Sequence, residues 1–149
     1  MSKLIIYTSK KGCTEKCANF IHNQHPESDL VSISKDTVSL NNYDEVIIGS
    51  PIYMGMINKK IKQFLSQNEE ILKTKTIKVF LCGMNNTEKE KVFETNFSKD
   101  LLTKIELIDY VGGAYDFERL NFLQKFVVKK IANVTSSIEN INYELLKKY

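Results

Sequence analysis

The sequence predicts an α/β protein built on a doubly wound, five-stranded parallel sheet with helices on both faces. Short runs rich in Ile, Val and Leu alternate with segments of helical period along the chain. The apolar runs show no internal alternation, which is typical of strands that are covered on both faces. A short, weakly patterned link between the second and third runs favours the strand order 2-1-3-4-5.

Each element has its own signal. The predicted strands are the apolar runs Lys3–Tyr7, Leu30–Ile33, Glu45–Gly49, Ile77–Cys82 and Ile105–Val111. Helical period predicts helices over Thr14–Asn23, around the face formed by Ile57, Ile61, Phe64 and Leu65, and over Thr87–Leu102, Phe117–Ala132 and Ile138–Lys148. Pro26 ends the first helix, and Thr87 with Glu90 reads as a capping box. Asp44 and Glu45 are expected to lie in solvent.

Composition favours a single soluble domain over residues 1–149. The hydrophobic fraction of 42% is enough for a core, and no apolar stretch approaches the roughly 18 residues of a transmembrane segment. With no signal-peptide pattern, a cytoplasmic protein is expected. The net charge of +3 comes from scattered residues, which disfavours a nucleic-acid partner. Cys13, Cys17 and Cys82 have no metal-site spacing, so free thiols are expected, the last two as small core residues, and no metal.

The loop after the first strand is a candidate anion site. It reads Ser9-Lys10-Lys11-Gly12-Cys13-Thr14 and runs directly into a helical pattern. Helix N-termini carry backbone N–H groups without helical partners and a partial positive charge, so they attract phosphate. Gly12 would allow close backbone approach, and Ser9 and Thr14 could donate hydroxyl hydrogen bonds. An ordinary strand-to-helix turn capped by Thr14 is the alternative.

Several other phosphate chemistries are excluded by the residues of this loop. A Walker loop and a dinucleotide fingerprint both need more glycines than the single Gly12. A phosphoacceptor domain would need acidic residues where Thr8, Ser9 and Ser50 stand. A cysteine phosphatase would need an arginine shortly after Cys13, and Glu15–His22 contains none.

A second unusual loop follows the third strand. Pro51 fixes φ and Gly55 frees it within Ser50-Pro51-Ile52-Tyr53-Met54-Gly55, so the loop has a defined shape and offers an aromatic face at Tyr53. In the order 2-1-3-4-5, the first and third strands are neighbours whose connections leave in opposite directions. Ligands bind at this switch point, so the two loops are expected to meet there. A possible opposite wall consists of Gly83, Met84, Asn85 and Asn86.

These two segments carry a family resemblance. I-I-Y-T-S-K-K-G-C-T resembles the phosphate loop of flavodoxins, and Y-D-E-V-I-I-G-S-P-I-Y-M-G-M (Tyr43–Met56) resembles their third strand and second flavin loop. The resemblance implies a flavodoxin-like fold and FMN as cofactor. It implies that Ser9, Lys10, Lys11, Gly12, Cys13 and Thr14 hold the phosphate. Ser50, Pro51, Ile52, Tyr53, Met54, Gly55, Gly83, Met84, Asn85 and Asn86 would flank the flavin ring.

A narrower resemblance lies later in the chain. Val111–Ile131 (V-G-G-A-Y-D-F-E-R-L-N-F-L-Q-K-F-V-V-K-K-I) resembles the menaquinone-dependent protoporphyrinogen dehydrogenase branch of the family. The chain departs from that branch in having no tryptophan and only a short segment after Ile131. With a pI near 8.6, it also lacks the acidic balance of ordinary flavodoxins, so it cannot rely on the same electrostatic steering of partners.

The expected function is therefore electron transfer by bound FMN, to a redox partner protein or a small-molecule acceptor. No residue is assigned a catalytic role. The alternatives are an FMN-dependent oxidoreductase of the protoporphyrinogen or quinone type, and a flavin-less binding module on the same fold. Phe122 and Phe126 stand off the apolar face of the Phe117–Ala132 helix. They are expected to pack under the last helix, or alternatively to make a peripheral membrane, quinone or subunit contact.

Overall fold

The computed structural model describes residues 2–9, 12–33, 38–83, 89–115 and 138–149. Its elements are β1 (Lys3–Tyr7), α1 (Cys13–Gln24), β2 (Asp29–Ser32), β3 (Glu45–Tyr53), β4 (Met56–Ile57), α2 (Lys59–Leu72), β5 (Thr76–Cys82), α3 (Lys89–Asn96), α4 (Lys99–Lys104), β6 (Ile105–Tyr110), β7 (Gly112–Tyr115), β8 (Ile138–Ile141) and α5 (Tyr143–Leu146). Several predicted features lie outside the described residues: Lys10, Lys11, Met84, Asn85, Asn86, the Thr87 cap, and the Phe117–Ala132 helix with Phe122 and Phe126.

The main sheet has the predicted topology. Its parallel strands lie in the order β2-β1-β3-β5-β6, and the two-residue strand β4 adds antiparallel to β3. Counting the five parallel strands alone, this is the order 2-1-3-4-5, so the prediction of a flavodoxin-like sheet is confirmed. The pairing Ile5 with Ile47 fixes the register at the centre of the sheet.

Alternate residues of the central strands fill two separate cores, one on each face. Val46 and Ile48 of β3 point to the core covered by α2, where Ile61 is fully buried. Ile47 points to the opposite core, beneath α1. Because both faces are covered, every position in these strands gains from burial, about 1.5–3 kcal/mol for a fully buried Ile. This explains why the apolar runs show no alternation.

The last predicted helix is partly wrong. Residues 138–141 form strand β8, which pairs antiparallel with β7, and only Tyr143–Leu146 is helical. Asn142 is the cause of the late start, because its side chain caps α5 by accepting a hydrogen bond from the Leu145 N–H at 3.2 Å. The fifth predicted strand, Ile105–Val111, ends one residue earlier, at Tyr110.

Two helix predictions also need correction at their starts or middles. The described part of the Thr87–Leu102 segment forms two helices: α3 ends at Asn96, and Ser98 caps α4 by accepting from the Leu101 N–H at 3.1 Å. Ile57 lies in β4 rather than on the face of α2, which begins after the Asn58 cap. It is still buried in the α2-side core.

Glu45 is buried, which contradicts the expectation that it lies in solvent, whereas Asp44 is exposed as expected. The carboxylate lies between two lysines from the neighbouring strands, 3.2 Å from the Lys3 Nζ and 2.9 Å from the Lys78 Nζ. A charge can be buried when partners of opposite charge surround it. Glu45 thus ties β1, β3 and β5 together at the amino ends of the strands.

Glu45→Gln should lower the free energy of unfolding by about 2–3 kcal/mol, because two lysines that are largely buried lose their counter-charge. Urea unfolding monitored by circular dichroism measures this change. The matched control is Glu144→Gln, which removes an exposed pair with Lys147. The control should change stability by less than about 0.5 kcal/mol. Equal effects of the two substitutions would contradict a structural role for the buried pair.

Candidate functional site

The central strands β1 and β3 are neighbours, and the chain leaves them on opposite faces of the sheet. After β1 it enters α1, which packs on the core containing Ile5 and Ile47. After the β3–β4 hairpin it enters α2, which packs on the other core. The Thr8 N–H donates to the Gly49 O at 3.3 Å, so the two strand ends lie side by side. The predicted topological switch point is therefore present.

The loop at the end of β1 leads into α1 through a left-handed glycine. Gly12 is the N-cap residue with φ of 92°, and its N–H donates to the Ser9 Oγ at 3.1 Å. No side chain caps the helix, so Thr14 is not its cap, and the alternative interpretation of this turn is wrong on that point. Thr14 is instead the second helical residue and is buried.

This geometry suits an anion. The first backbone bond of the turn runs from the Lys16 N–H to the Gly12 O, so the helix supplies no acceptor for the amides that precede Lys16. A left-handed residue before a helix lets successive N–H groups converge on one point. The exposed Glu15 in the first turn is the one acidic residue of that turn. Burial, and secondarily the negative charge of Glu15, raises the pKa of Tyr7 at the end of β1.

The second predicted loop is largely a hairpin, because β3 continues to Tyr53 and does not end at Gly49. Tyr53 pairs with Met56 across a two-residue turn at Met54 and Gly55. Both turn residues have positive φ, 53° and 77°, which is the type I′ conformation that matches the twist of a hairpin. The tip presents its apolar side chains to solvent: Tyr53 is 80% exposed and Met54 is 86% exposed.

Ser50 holds the base of this hairpin. Its hydroxyl donates to the Pro51 O at 2.9 Å and accepts from the Asn58 N–H at 3.0 Å. The side chain is buried, at 1% exposure. Ser50 therefore fixes the path of the hairpin from within.

Asn96 of α3 holds the other end of the hairpin and was missed by the sequence analysis. Its Oδ1 accepts from the Ile57 N–H at 3.0 Å, and its Nδ2 donates to the Gly55 O at 2.8 Å and to the Val92 O at 2.7 Å. The residue is buried. A single asparagine near the end of a helical pattern gives no signal of a partner 41 residues earlier.

The end of β5 supplies Gly83. Cys82 pairs in register with Pro51, so Gly83 lies beside the hairpin base. A Cβ at Gly83 would lie 2.7 Å from the Tyr110 hydroxyl, so only glycine fits against that side chain. Burial, and secondarily the nearby Cys82, raises the pKa of Tyr110. Segments of the three predicted loops thus meet at one edge of the sheet.

A cavity of about 580 Å³ lies elsewhere, between α2 and the α3–α4 segment. Its walls include Gln67, Glu70 and Ser98, and none of the predicted site residues lines it.

None of the described helices combines the length and apolar character that crossing a membrane requires.

The strand order and the switch point between β1 and β3 place the chain in the doubly wound α/β class. The chain belongs to the flavodoxin domain family, whose pattern it matches over residues 4–141. A comparison with curated protein sequences gives no match.

Solved structures of flavodoxins share the fold. Oxidised flavodoxin 2 from Bacillus cereus is 27% identical, with a TM-score of 0.56 over 76% of this chain and 82% of its own. The Fusobacterium nucleatum flavodoxin bound to flavin mononucleotide is 14% identical, with a TM-score of 0.56 over 75% of this chain and 76% of its own. A flavoprotein from Lactobacillus acidophilus NCFM in complex with FMN is 22% identical, with a TM-score of 0.50 over 75% of this chain and 91% of its own.

Proposed function

We propose that this chain binds FMN at the switch point and acts as an electron-transfer protein. The observation that carries the proposal is the meeting of a left-handed glycine turn at a helix start and an exposed aromatic hairpin at the ends of two neighbouring strands. Family membership supports it, and so do the two solved structures of the fold that are described with flavin mononucleotide.

The residues present fit the cofactor. The turn around Gly12, with its φ of 92° and a helix that no side chain caps, offers backbone amides to the phosphate. The exposed Tyr53 and Met54 offer an apolar surface to the ring. Gly83, packed against Tyr110, keeps the end of β5 free of a side chain. Lys10 and Lys11 would add positive charge from outside the described residues.

Bound FMN supplies the one- or two-electron chemistry, and the protein positions it. Gly12 and Ser9 shape the turn that would orient the phosphate. Ser50 and Asn96 hold the hairpin at both ends, so the exposed tip keeps one position relative to the sheet.

Thr14→Val should weaken FMN binding about 10- to 100-fold while leaving riboflavin binding unchanged, because a lost hydrogen bond from its hydroxyl to the charged phosphate costs about 1.5–3 kcal/mol. Fluorescence quenching of each flavin by the purified protein, stripped of cofactor, gives both dissociation constants. The isosteric substitution keeps the volume of the buried side chain.

Thr103→Val is the control, since Thr103 lies in α4 and its hydroxyl donates to the Asp100 O. It should bind both flavins as the unaltered protein does. A colourless preparation that takes up no added FMN would overturn the cofactor proposal and favour a flavin-less binding module. Equal losses for FMN and riboflavin in Thr14→Val would remove the phosphate from this loop.

The finer assignment is to an FMN-dependent oxidoreductase of the protoporphyrinogen or quinone type. The sequence Gly112-Gly113-Ala114 favours this assignment. These residues form the start of β7, which lies beside the end of β5, because the Gly83 N–H donates to the Gly112 O at 2.8 Å. Protoporphyrinogen oxidation by the FMN-loaded protein with a menaquinone analogue would support this enzyme. Reduction and reoxidation by general electron acceptors alone would favour the carrier, whose partner we propose is not steered by an acidic flavin edge.

A further inference from the structure

Three thiols converge beneath the turn around Gly12, the proposed phosphate turn, on the α1 side of the sheet. Cys13 is the first residue of α1, Cys17 follows one turn later, and Cys82 ends β5. All three Sγ atoms lie within 4.8 Å of one another, and those of Cys17 and Cys82 are 3.7 Å apart. None of the three is disulfide-bonded, which agrees with the sequence prediction, and Cys17 and Cys82 are core residues as predicted.

The sequence hides this cluster. Cys13 and Cys17 share a face of α1 because they are separated by four residues. Cys82 is 65 residues after Cys17 and reaches the same core only because β5 lies beside β3. The spacing rules for cysteine motifs do not detect a ligand set assembled in this way.

We propose that Cys13, Cys17 and Cys82 form a three-sulfur binding site for monovalent copper. The site adjoins the proposed flavin-binding residues: Cys13 belongs to the predicted loop after β1, and its buried side chain lies in the core on the α1 side of the sheet with those of Cys17 and Cys82.

The distances are those of a metal site with small adjustments. Two sulfurs bonded to one ion at about 2.3 Å lie about 3.8 Å apart in tetrahedral geometry and about 4.0 Å apart in trigonal geometry. The Cys17–Cys82 separation of 3.7 Å is already close to both values. The Cys13 Sγ lies within 4.8 Å of the other two, so a shift of about 1 Å would bring it to the separation expected for sulfurs bonded to one ion.

The number and the type of ligands select the metal. Soft thiolate sulfur is preferred by copper(I), zinc and iron–sulfur clusters. A structural zinc site takes four ligands. Among the described residues, no fourth His, Cys, Asp or Glu joins the group. The apolar neighbours Ile5, Ile47 and Phe80 line the same core and offer no ligand atom. Copper(I), in contrast, forms stable complexes with three thiolate sulfurs.

Proton balance is straightforward. Hydrogen bonding with the Cys13 and then the Cys17 thiol, followed by burial, raises the pKa of the Cys82 thiol. Thiol ligands give up their protons when they bind a metal. Each Cu–S bond replaces one S–H bond, three protons leave to solvent, and copper stays monovalent. The N-terminus of α1, at Cys13, offsets part of the negative charge that remains.

The test is an anaerobic titration of the purified full-length protein with copper(I), with bicinchoninate as a competing chelator. We expect about one equivalent to bind, with a near-ultraviolet absorption band from thiolate-to-copper charge transfer. Copper X-ray absorption should show three sulfur neighbours. Cys13→Ser, Cys17→Ser and Cys82→Ser should each weaken binding by more than about 100-fold, beyond the 10–100-fold loss that residues outside the ligand set produce.

Ala18→Ser is the matched control, because it places a hydroxyl in the same fully buried core without removing a thiol. It should keep the affinity for copper even where it lowers stability. Unchanged binding in Cys13→Ser would overturn the three-sulfur site, and so would a disulfide formed during the anaerobic addition, detected by mass spectrometry after a chelator has removed the copper. The measurements are made with and without FMN, so failure of the flavin proposal leaves this result readable.

Discussion

Gly49→Ala should lower the free energy of unfolding by about 3 kcal/mol or more, because a new Cβ would overpack a core that cannot yield. That Cβ would lie 2.1 Å from the Phe80 Cζ. Phe80 is fully buried, and its ring meets Tyr149 edge-on at 6.0 Å, so it has no free direction in which to move. Gly49 lies in the middle of β3, where the backbone has little freedom to shift.

Guanidinium unfolding of Gly49→Ala and of the unaltered protein measures the loss. Phe80→Leu should recover part of it in the double variant, since the shorter side chain removes the clash. Gly55→Ala is the matched glycine control: nothing lies within 4 Å of its added Cβ, and only its φ of 77° is unfavourable. That conformation costs about 1–2 kcal/mol. Additive effects of Gly49→Ala and Phe80→Leu would contradict the packing explanation.

The substitution also bears on the site. The Gly49 O accepts the Thr8 N–H, which joins the end of β1 to β3 just before both candidate loops begin. A displaced Gly49 would therefore separate the turn at Gly12 from the β3–β4 hairpin. The pairing of β1 with β3 brings these two loops together, and the glycine at position 49 lets the Phe80 ring pack against that pair of strands.

The parallel sheet was predictable because its signals are local. Uninterrupted apolar runs such as Val46–Ile48 report burial on both faces, and the connections fix the strand order. The loops that form the candidate site were found for the same reason, because Gly12 and Gly55 stand at positions of positive φ that only their residue type signals.

The misses depend on partners that are distant in the sequence. The sequence around Glu45 suggests a solvated residue, because its partners Lys3 and Lys78 lie on neighbouring strands that are distant in the sequence. Residues 138–141 have helical period, yet pairing with β7 makes them a strand. Long-range pairing overrides local preference in both cases. The thiol cluster and Asn96 belong to the same class, since each is assembled across the fold.

Asn96→Ala should release the hairpin that carries Tyr53 and Met54. The substitution removes the acceptor of the Ile57 N–H and the donor to the Gly55 O. Each buried group left without a partner costs about 1–3 kcal/mol. We therefore expect stability to fall by about 2–3 kcal/mol and, on the proposed function, FMN to bind about tenfold more weakly.

Hydrogen exchange separates these effects. The Ile57 amide should lose protection in Asn96→Ala while amides within β1 keep theirs, and this readout does not depend on any flavin. Asn68→Ala is the matched control, because Asn68 donates only within α2, to the Phe64 O at 2.8 Å. It should leave Ile57 protected and FMN affinity unchanged. If Asn96→Ala exposes Ile57 and yet binds FMN as tightly as before, the hairpin is not part of the flavin site; if Ile57 stays protected, Asn96 does not hold the hairpin.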